Sequence, residues 1–175
     1  GKLFETLRVE QRNGSEPPGD DGYSLDSLPS CDAFATVLDY TPLAGDSCDT
    51  NDWETPRVVS RYAVSDGSPT LIARTWTRIE RGVFAAEYPR ADSWPLVRTT
   101  TVRAASQGAS VSDGANAVSV SVVYSSDSPL VPYALRGRMV SYTDEDGVTE
   151  LTAYTSVSNA LRAVTRRLKG SAEAK

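Results

Sequence analysis

From Arg57 to Tyr142 the side chains change character at every second position, and this period of two constrains the fold more than any other feature. "RVVSRYAV" (57–64) alternates, "SDGSP" turns, and "TLIARTWTRI" (70–79) alternates again, the pattern of a hairpin with a five-residue loop. "VFAAEY" (83–88) and "PLVRTTTVRAA" (95–105) are further strand candidates, rich in β-branched residues. After the polar loop "SQGASVSDGAN", "AVSVSVVY" puts Val118, Val120, Val122 and Tyr124 on one face. In "ALRGRMVSY" Arg136 and Arg138 share one face, with Gly137 and Met139 on the other.

The flanks are less regular. "KLFETLRVEQ" reads as a strand, with a helix as the rival reading. "NGSEPPGDDG" is turn chemistry, and "YSLDSL" returns as a second strand of an N-terminal hairpin within residues 1–30. Residues 31–56 form an irregular region bounded near its ends by Cys31 and Cys48. Residues 32–38 fit a short helix with Phe34, Val37 and Leu38 inward, ended by Pro42 and Gly45.

At the other end two readings stand side by side. "DEDG" (144–147) turns a hairpin between "MVSYT" and "VTELTAYT", or Asp144 or Asp146 caps a long helix. Val148, Leu151, Tyr154, Val157, Leu161, Val164 and Leu168 recur at intervals of three and four, a helical stripe. Both readings make 157–169 helical, with Arg162, Arg166, Arg167 and Lys169 in the last turns, where the helix dipole favours cations. The expected fold is therefore α+β: one domain spanning 1–175, with an N-terminal hairpin, an antiparallel meander over 57–143, and a C-terminal α-helix (144–175) packed on one sheet face.

Composition excludes more than it assigns. The chain has 175 residues and no histidine, which removes the commonest general base and the commonest zinc ligand. There is no G-x-S-x-G, P-loop or G-x-G-x-x-G, and no two carboxylates stand out as a hydrolytic pair. Asp46, Asp49, Asn51, Asp52 and Glu54 crowd one stretch without matching a calcium loop; Asp144, Asp146 and Glu150 suit a turn or cap. No enzyme activity, cofactor, metal or small-molecule substrate is expected. No apolar run approaches the roughly 18 residues of a membrane helix. Cys31 and Cys48 are read as bridged within a chain, bridged between chains, or free.

Charge is distributed unevenly. Residues 1–56 hold three basic and twelve acidic side chains, a net of −9; residues 57–143 hold ten basic and six acidic, a net of +4. Residues 144–175 hold five of each. In the middle segment Arg57 pairs in parity with Arg61, Arg74 with Trp76 and Arg78, and Arg136 with Arg138. Such a face is either the wet side of a sheet or a surface for a polyanion.

The order of hairpin, meander and C-terminal helix, the opening "GKLFETL" and the passage "MVSYTDEDGVTELTAYTSVSNALRAVTRRLKG" resemble the coat proteins of small single-stranded RNA phages. That resemblance implies a virion structural protein that dimerises by interlocking helices and assembles into an icosahedral shell. It places RNA on the opposite sheet face, at Arg57, Arg61, Arg74, Trp76, Arg78, Arg136 and Arg138. The subunit interface would then fall on Val157, Leu161, Val164 and Leu168. Its partners would be its own copies and single-stranded RNA, without a membrane. The alternative is a secreted or envelope-anchored binding domain of a GC-rich bacterium, held by a Cys31–Cys48 disulfide and preceded by a cleaved leader.

Overall fold

The computed structural model describes residues 5–11, 33–47, 55–65, 68–84, 86–88, 91, 94–158 and 160–169. They form nine strands: β1 (Glu5–Gln11), β2 (Ala33–Asp39), β3 (Val58–Ser65), β4 (Ser68–Gly82), β5 (Leu96–Arg103), β6 (Ala117–Tyr124), β7 (Met139–Thr143), β8 (Val148–Val157) and β9 (Ala160–Lys169). Strand order in the sheet follows chain order. From β2 onward the sheet is an antiparallel meander, and β1 joins its first edge in parallel with β2. The described residues contain no α-helix, only 3₁₀ turns such as Tyr133–Leu135.

Three expectations are corrected here. The α+β assignment fails because the C-terminal helix is absent: Val148–Val157 and Ala160–Lys169 are paired strands, turning at Ser158, whose φ is +50°. The three- and four-residue spacing of apolar groups was the helical signal. A ten-pair ladder between β8 and β9 overrides it, helped by Thr149, Thr152 and Thr155, which suit strands. The "DEDG" turn is the hairpin alternative: Asp144 Oδ1 accepts from the N–H groups of Asp146 (3.0 Å) and Val148 (2.8 Å), and Gly147 takes φ +72°.

The second correction is the helix over 32–38. Residues 33–38 lie in β2, held between β1 and β3, with Ala35 and Val37 buried and Phe34 exposed. β1 is parallel to β2; the expected N-terminal hairpin returns through residues 23–28, which lie outside the described residues. Third, the described residues of "VFAAEY" form a turn and not a strand: the N–H groups of Glu87 (3.0 Å) and Tyr88 (2.8 Å) both bond to the Phe84 carbonyl.

The chain divides into two compact units. The first comprises residues 1–78 and 102–117. Ladder register sets Ala35 opposite Tyr62, Val37 opposite Ser60, Ser60 opposite Arg74, and Val58 opposite Trp76. Directly opposed residues share a face, so Ala35, Val37, Ser60, Arg74 and Trp76 lie together, and all but Arg74 are buried. An irregularity after Arg61 pairs Arg61 with Ala73 and Tyr62 with Leu71, which leaves Ile72 as the extra residue. The bulge reverses the parity of β4, so the inward positions shift from even numbers above it to odd numbers below it.

The second unit comprises residues 79–101 and 118–175. Its core is Ala91, Leu96, Val122, Tyr124, Val131 and Val140, with Phe84, Trp94, Leu135 and Tyr154 packed against it. Tyr154 anchors β8 to this core. Its ring meets Tyr124 edge-on with centroids 6.1 Å apart, and its hydroxyl donates to the Met139 carbonyl at 2.9 Å. Arg98 crosses the Phe84 ring at 4.2 Å and pairs with Glu80 (3.6 Å) and Glu87. The hydrogen bond to Glu87 raises the Arg98 pKa above its ordinary value, against the opposing effect of burial.

Candidate functional site: the arginine positions and the exposed hairpin

The arginine and tryptophan positions of the basic segment do not form one surface. Arg57 is buried, 1% exposed. Its Nε donates to Asp46 Oδ2 at 2.5 Å, and the Asp46 side chain is 0% exposed. A second guanidinium N–H donates to the Thr55 carbonyl. The Arg57 backbone bridges two strands, taking the Asp39 carbonyl at 2.7 Å and giving its own carbonyl to the Thr77 N–H at 2.8 Å.

Arg74, Trp76 and Arg78 do alternate on one strand, as their spacing implies, but Trp76 points into the protein and is 7% exposed. Arg74 Nε donates to Ser60 Oγ at 3.1 Å, on the same buried face. The Arg78 side chain packs beside Gly45; a β-carbon there would sit 3.5–4.0 Å from the guanidinium end. Gly45 also has φ +82°, so the loop closes over Arg78 with a residue that tolerates that geometry. Arg61 stands opposite Ala73, on the other face from Arg74, and is exposed.

Arg136 and Arg138 belong to the second unit and lie before β7 rather than in it. Arg136 Nε donates to the Val131 carbonyl (3.1 Å) and Arg138 Nε to the Ala134 carbonyl (2.6 Å). Arg138 also approaches the Tyr154 ring at 5.8 Å. Of the seven positions read as an RNA face, the structure therefore brings three together on β4 with Trp76 turned inward. It buries Arg57 in an ion pair, puts Arg61 on the opposite face of the ladder from Arg74, and uses Arg136 and Arg138 to cap a loop.

The four positions read as a subunit interface lie on the β8–β9 hairpin. Val157 (48%), Leu161 (37%) and Val164 (56%) are exposed, and Leu168 is half-buried. Register places Ala153 opposite Val164, Thr149 opposite Leu168 and Val157 opposite Ala160, so Val157, Val164 and Leu168 share one face; Leu161 is on the other.

This hairpin departs from the burial pattern of the sheet. β7 pairs with β8 only at Thr149, Glu150 and Leu151. From Thr152 to the turn, β9 is the only partner of β8 among the described residues, and β9 is the last strand of the sheet. Residues 160–167 are all exposed, with no alternation between an inner and an outer face. A strand covered on one side alternates; these eight residues are open on both sides. Two-stranded ribbons are marginal alone in water, and three or more strands or a packing partner make them stable.

The same strand gathers cations. Arg162 and Arg166 lie on the face of Val164, and Arg167 lies on the face of Leu161. Across the ladder these three meet Thr155, Leu151 and Glu150, so one of the three faces a carboxylate, and that pair is long and exposed (Arg167–Glu150, 3.8 Å). The helical spacing of the sequence places these cations in the last turns of a helix, and the strand replaces it. The available signal for strands was the run of threonines and valines and the Ser158-Asn159 pair at the midpoint of two ten-residue halves.

An open cleft of about 810 Å³ lies by the β7–β8 turn, lined by Asp144, Asp146, Val148 and Arg167. The Asp144 carboxylate is committed to the turn itself. Among the described residues no three acidic or cysteine side chains are placed to hold a metal, and no helix is long and apolar enough to cross a membrane. Cys31 and Cys48 lie outside the described residues. No protein-family model, curated protein or solved structure matches the chain.

Proposed function

We propose that this chain is a non-catalytic structural subunit that associates with copies of itself, of the kind that builds a virion shell, and that the β8–β9 hairpin makes the contact. The observation that carries the reading is the exposure of every residue from 160 to 167 on a ten-residue edge strand. Edge strands with open backbone groups pair readily with other chains, and natural monomers cover them, shorten them or place like charges on them. This one is long, uncovered among the described residues, and bears Leu161 and Val164 on its two faces.

The RNA part of this reading rests on the exposed Arg61 of the first unit. Arg57 and Trp76 sit inside and support the fold.

Sedimentation velocity on the full chain at tens of micromolar tests the reading. Oligomers or particles are expected, and a strict monomer contradicts it. Leu161→Asp with Val164→Asp is expected to return the chain to monomer with its β-sheet circular dichroism retained. The ratio of absorbance at 260 and 280 nm in the assembled fraction reports whether RNA is carried.

A further inference from the structure

Self-association leaves open what lies against β9, and its charges narrow the choice. A two-fold pairing of β9 with β9 of another copy, antiparallel about Val164 and Thr165, would set Arg162 of one against Arg166 or Arg167 of the other. Like charges placed opposite each other on a ladder are destabilising. The strand carries four cations in ten residues, and lysine or arginine on an edge is a common device against such pairing. A symmetric β9–β9 contact is therefore disfavoured, and the occupant must bring negative charge.

The chain itself carries a complementary acidic stretch. Residues 1–56 carry a net −9, and residues 12–32 hold five carboxylates against one cation. Within that stretch Tyr23 and Leu25 alternate with small or acidic residues, and Asp20, Asp21 and Asp26 flank them. In composition the stretch offers apolar groups and negative charge, and β9 offers Val164 and Leu168 with Arg162 and Arg166. We infer that the subunits join head to tail: the cationic edge β9 of one copy receives the acidic stretch 12–32 of a second copy. A contact between two different patches is heterologous, and repeated it closes into rings or grows into larger assemblies. This inference rests on the self-association proposed above and adds its direction and its partner surface.

Two full-length variants test it. The first reverses the edge: Arg162→Glu, Arg166→Glu, Arg167→Glu. The second reverses the acidic stretch: Asp20→Lys, Asp21→Lys, Asp26→Lys. Sedimentation velocity is measured on wild type, on each variant alone and on their equimolar mixture, in low salt. Wild type is expected to associate, and each variant alone to associate at least tenfold more weakly. The mixture should regain the association, because the reversed edge then meets the reversed stretch.

If wild type is monomeric, the self-association reading itself fails and the inference falls with it. If wild type associates and edge reversal leaves its strength unchanged or raises it, self-association stands and the head-to-tail contact is overturned. If edge reversal removes both association and bound nucleic acid, and mixing does not restore them, a nucleic acid is the occupant and the inference is overturned. Arg162→Gln, Arg166→Gln, Arg167→Gln serves as the milder edge variant should the glutamates unfold the hairpin. It is expected to weaken association, and unchanged association in that variant counts against the inference.

Discussion

Arg57 and Asp46 form an ion pair, 2.5 Å from Nε to Oδ2, between two side chains that are 1% and 0% exposed. It closes the mouth of β3, where the Arg57 backbone also joins β2 to β4. A buried charge whose partner is removed keeps its desolvation cost and loses the compensating attraction. Asp46→Asn is therefore expected to destabilise the chain by about 3–5 kcal/mol. The double replacement Asp46→Leu with Arg57→Met should recover most of that loss, since an apolar pair of similar volume carries no desolvation cost. Urea unfolding of the three proteins measures both effects. A loss below about 1 kcal/mol for Asp46→Asn, the range of surface pairs, would show that the pair is open to water.

Trp76 shares its strand with Arg74 and Arg78 yet faces Val58 across the ladder on the buried side. Trp76→Ala should cost about 3–5 kcal/mol through the lost burial and the cavity left behind. Binding to a single-stranded polyanion, measured under conditions where the variant stays folded, should not change. A stable Trp76→Ala protein with weakened binding would place the ring at a surface instead.

Tyr154 fixes the hairpin to the core of its unit by ring and by hydroxyl. Tyr154→Phe keeps the edge-on contact with Tyr124 and removes the hydrogen bond to the Met139 carbonyl. A loss of about 0.5–1.5 kcal/mol is expected. Amide hydrogen exchange should report faster opening confined to β8 and β9. Uniform acceleration across the whole unit would mean that the hairpin unfolds only with the core.

The strands of the middle segment are legible from the chain alone. Period-two alternation and the turn residues between runs mark β3, β4, β5 and β6 to within a few residues, and the Asp-Gly chemistry of 144–147 marks a turn whose carboxylate does what such a residue does locally. These are properties of neighbours in the chain, so a chain-local reading reaches them. The period also states that Arg74 and Trp76 share a face. It does not state which face is inside, because alternation is the same pattern whichever set of side chains is buried. That was decided by register: β3 sets Val58 and Ser60 opposite Trp76 and Arg74, β2 sets Val37 opposite Ser60, and the apolar majority turns that side inward.

The last third shows the limit from the other direction. "ALRAVTRRLK" is built of good helix formers with helical apolar spacing, and its local preference is genuine. Its strand conformation depends on ten backbone pairings with β8, a partner lying on the far side of a turn. Pairing energy of that kind belongs to two segments at once and is absent from either alone. The Arg57–Asp46 pair is similar: many carboxylates in the acidic first third could have met Arg57, and only the closure of the 40–47 loop over the end of β3 selects one. Composition and period thus set which elements form. Which surfaces they bury, and the edge that remains open, follow from contacts between elements, where propensity gives way to register and desolvation.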